Sequence, residues 1–307
     1  MRGVWPAALT MFDAEGRLDE DATAAHLDLL VTEGVHGLVV GGTSGEFVAL
    51  TDAERRRLLE VAVEAVAGRV AILAGTGTYA TSATIELTRH AEEAGAAAAL
   101  VVLPYFQRPS REEVLGHYRR VAAATDLPLW VYNIPANAAT DPLTTADLAG
   151  LYHEGVVSGV KSTLPTVHQI HELRAATDEG FRAFYGGFTA PLEAMAGGAH
   201  GWISGLLNVA PATAVELWEA VGAGDLPRAR AVWARLLPLR RLVTDPAVRG
   251  VSDLALYRGL LRIWGRPAGF CRPPLRDLDP TELSMLEKTL QAAPWWSGFD
   301  RPSASNV

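Results

Sequence analysis

Eight times within its first 222 residues the chain repeats one pattern, a short apolar run followed by a stretch with helical spacing of its apolar residues. The runs cover residues 4–10, 37–41, 70–74, 99–103, 129–132, 156–161, 182–185 and 201–204. Neighbouring strands joined through helices must run parallel, because a crossover of that length cannot make a hairpin. Two of the helical stretches carry their own start signals. Thr51 and Glu54 form a capping box ahead of the stripe Leu58, Leu59, Ala62, Val63 and Val66. Ser110 and Glu113 do the same ahead of Val114, Tyr118, Val121 and Ala122. Eight such units are the number that closes a barrel, so the expected fold class is α/β, a (β/α)8 TIM barrel over residues 1–222. A doubly wound open sheet is the alternative.

From Pro211 the strand pattern stops, and residues 211–222, 225–243, 251–264 and 280–292 read as helices. The first completes the eighth unit. The others make a C-terminal helical appendage expected over 223–293. The remaining 294–307, with Trp295 and Trp296, is expected to be a frayed tail.

The chain is 49% hydrophobic, ample for one large core, and its net charge of −8 gives no footprint for nucleic acid or an anionic membrane. No apolar run approaches the roughly 18 residues of a membrane span. The first residues lack a secretory signal pattern, and Cys271 is the only cysteine, so a reducing, cytoplasmic setting is expected.

Lysine usage is more pointed. Of 27 basic residues only Lys161 and Lys288 are lysines. Lys288 falls in a polar helical stretch and reads as a surface residue. Lys161 instead ends the apolar run Val156-Val157-Ser158-Gly159-Val160. At that depth the ammonium form loses hydration, and a neutral amine is the nucleophile that imine formation requires. On position alone, a lysine snorkelling to the rim fits as well.

In a barrel of this kind the chemistry sits where the strands end. Those ends carry Thr43 and Ser44 after the second strand, Tyr132 and Asn133 at the fifth, and Lys161 at the sixth. Gly186 and Gly187 follow the seventh strand, and Ile203 lies in the eighth. A phenol beside an imine can shuttle a proton. The turn Gly41-Gly42-Thr43-Ser44-Gly45-Glu46 can gather backbone N–H groups into a nest for a carboxylate, and its hydroxyls can extend the proton path from Tyr132. A plain tight turn and an ordinary core tyrosine are the simpler readings of those two features taken singly.

Two other features mislead. Gly75-Thr76-Gly77-Thr78-Tyr79-Ala80 imitates a dinucleotide fingerprint, but the next strand ends Val102-Leu103-Pro104 without the acid that such a site uses on the ribose. His168 and His171 share a helix face, yet the strand ends supply no further ligands for a metal.

The ordered set of strand-end residues resembles the dihydrodipicolinate synthase/N-acetylneuraminate lyase family of class I aldolases, from about Val4 to Leu290. It comprises Thr10-Met11-Phe12, Gly42-Thr43-Ser44-Gly45-Glu46, Leu103-Pro104-Tyr105-Phe106, Tyr132-Asn133-Ile134-Pro135, Gly159-Val160-Lys161 and Gly201-Trp202-Ile203-Ser204. The resemblance implies that Lys161 forms a Schiff base with pyruvate and that Tyr132 moves protons beside it, with Ser44 extending that path. It implies that Thr43 and Ser44 bind the pyruvyl carboxylate and that Ile203 packs at the imine. It implies a homotetramer, and chemistry that needs neither metal nor organic cofactor, the covalent imine serving instead.

Three positions depart from the synthases. Asn137 stands where they carry an arginine for the second substrate's carboxylate. Phe106 stands where they carry a tyrosine that reaches into the neighbouring subunit. Gly187-Phe188 follows the seventh strand where sugar-acid members present a polar residue. The stretch Pro135-Ala136-Asn137 is closer to 4-hydroxy-2-oxoglutarate aldolases, and Lys161-Ser162-Thr163 to 2-keto-3-deoxygluconate aldolases. Phe106, Asn137, Gly186 and Phe188 are taken as substrate-binding residues, with Asn137 and Phe188 at the far end of the incoming aldehyde. The expected activity is a lyase acting on a 2-oxo acid and an aldehyde. A Schiff-base dehydratase, a dihydrodipicolinate synthase and a non-catalytic 2-oxo acid sensor are the alternatives.

Overall fold

A computed structural model describes residues 1–244 and 251–291 of the chain; the expected tail with Trp295 and Trp296 lies outside the described residues. Eight strands form one parallel sheet: β1 (Gly3–Pro6), β2 (Gly37–Val40), β3 (Ala71–Gly75), β4 (Ala98–Val102), β5 (Leu129–Asn133), β6 (Gly159–Ser162), β7 (Arg182–Tyr185) and β8 (Gly201–Ser204). The hydrogen-bonded order is β1-β8-β7-β6-β5-β4-β3-β2. The seam between β1 and β2 closes through a single bridge, Ala7 against Val39, with the Ala8 N–H donating to the Val39 carbonyl at 2.9 Å. The result is a nearly closed TIM barrel.

Helices follow the strands in turn: α1 (Glu20–Thr32), α2 (Asp52–Val66), α3 (Thr81–Glu93), α4 (Arg111–Ala122), α5 (Thr145–His153), α6 (His168–Ala176), α7 (Pro191–Ala196) and α8 (Pro211–Gly222). The appendage contains α9 (Leu226–Thr244), α10 (Asp253–Ile263) and α11 (Pro280–Gln291). Both expected capping boxes form, Thr51 with Glu54 and Ser110 with Glu113, and Thr144 with Asp147 adds a third. Each cap contributes about 1 kcal/mol. No described helix is long and apolar enough to cross a membrane.

Alternation along each strand divides the side chains between two layers. Outward residues pack against the helices, while Trp5, Leu73, Leu100, Trp130, Phe184 and Ile203 belong to the cluster inside the barrel. Three large rings floor that interior, Trp5 and Trp130 at 6.3 Å and Phe184 5.0 Å from Trp130. Glycine on neighbouring strands makes room for them. A Cβ at Gly37 would meet Trp5 at 2.3 Å, and one at Gly159 would meet Trp130 at 2.7 Å. Everything one step further along the strands is thereby raised toward the open end.

The strands begin and end differently from the apolar runs in two places. β1 ends at Pro6, the Ala7 and Ala8 N–H groups still donate to Ser204 and Val39, and from Leu9, whose N–H goes to the Asn208 side chain, the backbone has left the sheet. Residues 156 and 157 are apolar and expected in β6, but their N–H groups donate to the Leu151 carbonyl at the end of α5. Burial explains their composition, and the ladder begins only at Gly159. The dinucleotide-like glycines serve the barrel wall. A Cβ at Gly75 would strike the Gly41 carbonyl at 2.1 Å, and one at Gly77 the Val102 nitrogen at 2.5 Å.

One buried group makes the fold sensitive to acid. His26 on α1 is fully buried, with Nε2 2.8 Å from Asn208 Oδ1. Burial, and then the charges of Arg258 and Arg266, lower its pKa to about 4. As pH falls below about 6.5 the unfolded chain takes up this proton and the folded one does not. Stability is therefore lost between about pH 6.5 and pH 4, by roughly 3 kcal/mol from this group, and no further below. His117 and His200 are lowered to about 4 as well, so each accounts for a share of the acid loss. Thermal unfolding across this range should show a flatter profile for His26→Gln than for the wild type. Parallel profiles would show that His26 protonates in the fold as readily as outside it.

Candidate active site

β5 and β6 are adjacent and in a register that sets Tyr132 directly beside Lys161 and Trp130 beside Gly159. The separation of these two residues in sequence is thus one strand-helix unit, and both side chains point into the barrel one level above the aromatic floor. Lys161 is 4% exposed, and its Nζ lies 4.0 Å from the centre of the Tyr132 ring. The Tyr132 oxygen accepts a long hydrogen bond, 3.4 Å, from the Thr43 hydroxyl, which leaves its own proton free to face a reactant.

The outward residues at the same strand ends lock this pair. Ser162 donates to Gln169 Oε1 at 2.7 Å, and the Asn133 amide bonds both Gln169 and the Leu143 carbonyl. The Asn133 Oδ1 in turn accepts from the Leu143 N–H at 3.0 Å. These buried, satisfied groups tie β5 to β6 from behind and so fix the positions of Tyr132 and Lys161.

Gly186 leaves space for the lysine. A Cβ there would lie 2.9 Å from Lys161 Cγ and 2.3 Å from Thr163 Oγ1. The Thr163 hydroxyl is buried and has no partner among the described residues. Strand alternation places residue 163 on the face of residue 161, which is the sequence signal for it. Ile203 is fully buried in the interior cluster with Tyr132.

The turn after β2 leaves two of its N–H groups open. The N–H groups of Gly45, Glu46 and Phe47 are spent on the carbonyls of Gly42 and Thr43. Those of Thr43 and Ser44 donate to no protein acceptor among the described residues. Gly205 makes room for Ser44, since a Cβ on it would lie 2.6 Å from the Ser44 Oγ. A small cavity lined by Gly41, Gly42, Thr43, Leu100, Val102 and Tyr132 adjoins the turn.

The remaining expected residues are not drawn into this centre. Asn137 is exposed on the loop after β5. Phe106 is 92% exposed on a left-handed backbone, φ 79°. Phe188 is half-buried and packs with the layer outside the barrel, not with the interior cluster. A contact the sequence did not reveal is the buried ion pair of Glu46 with Arg258, 2.6 Å.

A family model described as the dihydrodipicolinate synthetase family matches residues 1–293. The chain belongs to that family. It is 35% identical over 294 residues to a 4-hydroxy-tetrahydrodipicolinate synthase of Rhizobium meliloti, covering 95% of this chain and 98% of that one. It is 37% identical to an uncharacterized DapA-like lyase of Halobacterium salinarum, covering 94% and 93% of the two chains. A prophage protein of the family from E. coli K12, solved in complex with pyruvate, superposes with a TM-score of 0.86 at 31% identity, covering 95% and 98%. Membership makes the chain an enzyme, a lyase of the class I, imine-forming, pyruvate-dependent kind.

Proposed function

We propose that Lys161 forms the imine with the 2-oxo acid and that the enzyme is an aldolase, making or cleaving the carbon–carbon bond beside it. The observation that carries this is the buried lysine amine lying 4.0 Å over the Tyr132 ring, with the Tyr132 oxygen bonded to Thr43. In the cleavage direction the amine attacks C2, and Tyr132 gives its proton to the C2 hydroxyl, which leaves as water and makes Tyr132 a phenolate held by the Thr43 hydroxyl. Tyr132 takes the C4 hydroxyl proton, the C3–C4 bond breaks, and its electron pair moves through C3 to the iminium nitrogen. An aldehyde departs, the enamine is protonated at C3, and water releases pyruvate. The iminium is the electron sink, so the scheme needs no metal and no organic cofactor.

The free N–H groups and hydroxyls of Thr43 and Ser44 are the proposed seat of the substrate carboxylate, with Ser44 continuing the proton path. Thr163, without a partner among the described residues and next to Lys161, is the proposed contact for a substrate hydroxyl, and Ile203 the apolar wall at the imine. Phe106 carries no hydroxyl, so no proton relay continues through that residue. Its exposed ring, with Val48 at 73% and Tyr79 at 44% exposure, supports a homo-oligomer in which these loops meet a second copy, a tetramer by resemblance. Tyr79 is tied to the same loop through Gln107 at 2.6 Å. Burial pushes the Cys271 thiol up to about 11, an inert group suited to the reducing cytoplasm we propose as its location.

A synthase acting with aspartate semialdehyde is the second reading, favoured by the name of the Rhizobium relative. Asn137 argues against it. Its amide can bond a hydroxyl or carbonyl but brings no charge for a carboxylate. Phe188 adds nothing to that argument, since it packs outside the barrel. A hydrogen bond to a charged group contributes about 1.5–3 kcal/mol, so without a cation at this position kcat/KM for aspartate semialdehyde should fall more than about tenfold below that of the best neutral hydroxylated aldehyde. Steady-state assays of both acceptors with pyruvate decide it. Rates within about tenfold would mean that a cation such as the exposed Arg108 reaches the acceptor in place of Asn137.

A further inference from the structure

The carboxylate turn does not hold itself. Glu46, which ends it, has a left-handed backbone, φ 55°, a conformation that a side-chain-bearing residue keeps only where its surroundings enforce it. The enforcement comes from the appendage. Arg258 on α10 is fully buried and reaches the Glu46 Oε1 through Nη2 at 2.6 Å. The same Nη2 donates to the Thr10 carbonyl at 2.8 Å, while Nη1 donates to the Ala268 carbonyl at 2.6 Å. Glu46 Oε2 accepts the Arg272 N–H at 3.0 Å, and the Thr10 hydroxyl donates to the Gly45 carbonyl at 2.7 Å. The residue before Arg258 serves the same turn. A Cβ built on Gly205 would lie 3.0 Å from the Tyr257 ring and 2.6 Å from Ser44 Oγ, so α10 backs the turn at Ser44 as well as at Glu46.

We propose that Arg258 is a positioning residue of the active site, acting from the appendage through Glu46 to aim the Thr43 and Ser44 N–H groups at the substrate carboxylate. The guanidinium fork is needed for this. It spans Glu46, Thr10 and Ala268 at once, which anchors the turn to both the end of β1 and the appendage, and an ammonium at its place cannot reach all three. The inference rests on the reading that this turn receives the carboxylate of a 2-oxo acid bound at Lys161.

The test is borohydride trapping at Lys161 as a function of pyruvate concentration, with thermal unfolding measured on the same samples. Three variants are compared with the wild type: Arg258→Lys, Glu46→Gln, and the double variant Glu46→Met with Arg258→Met. Misplacing a binding group by about 1 Å costs up to about 10²-fold, so half-saturating pyruvate should rise roughly 10- to 10²-fold in all three. The trapping rate at saturation should stay within a few-fold of wild type, because the lysine and tyrosine are untouched. The double variant removes both charges and leaves none unpaired, so its unfolding temperature should recover toward wild type without recovery of the pyruvate requirement. A purely structural ion pair gives the opposite result: half-saturation returns with stability in the double variant, or stays unchanged in the single variants. Either outcome overturns the inference alone. A wild-type chain that pyruvate and borohydride do not label overturns the reading of the site, and the inference with it.

Discussion

Replacing Lys161 with arginine should lower turnover by roughly 10⁴–10⁶-fold, the range seen when a covalent nucleophile is removed. The substitution keeps a positive charge at the end of β6, so a loss of that size separates nucleophilicity from electrostatics. A guanidinium stays protonated and cannot attack a carbonyl. Its larger head must also fit a space bounded by the Tyr132 ring on one side and by Gly186 on the other, which has no side chain because Lys161 is there. Lys288 is exposed on α11 and provides the control, since Lys288→Arg should leave turnover at the wild-type level. Activity surviving in Lys161→Arg within about tenfold would require another nucleophile, and the chain has no third lysine.

Tyr132→Phe should reduce kcat by roughly 10²–10⁴-fold, the usual contribution of a positioned proton donor or acceptor. The ring stays, so the surface under the Lys161 amine and the packing with Ile203 are retained, and only the hydroxyl bonded to Thr43 is lost. Imine formation should slow and still go to completion, because the amine is unchanged. Stopped-flow turnover measured alongside trapping yields the two rates separately. A variant that turned over at the wild-type rate would reduce Tyr132 to a packing residue.

The fold was legible because each strand-helix unit carries its signal locally. The apolar runs lie within a few residues of the observed strands, and all four helices read after Pro211 are present. Errors fell where burial and hydrogen bonding part company. Val156 and Val157 are apolar and hidden, but their N–H groups go to a helix end, which composition does not register. The proximity of Tyr132 and Lys161 was legible for a similar reason. Tyr132 and Lys161 end adjacent strands in matching register, so one unit of the repeat separates them. Thr163 follows from the same alternation.

Contacts made across the whole chain left no such trace. Glu46 and Arg258 are 212 residues apart, and neither lies in a pattern that points to the other. The orientation of Phe188 could not be read either, because it follows β7 on a turn where alternation no longer holds. Gly186 was legible as a strand-end residue but not in its function, which depends on the Lys161 stem lying against it.

The central claim, an imine between Lys161 and a 2-oxo acid, has a direct measurement. The protein is incubated with pyruvate, reduced with borohydride, digested, and its peptides are weighed. The account predicts one carboxyethyl group per chain, carried by the peptide containing Lys161 and missing from Lys161→Arg. A label on Lys288 instead, or unmodified Lys161 at saturating pyruvate, would contradict it.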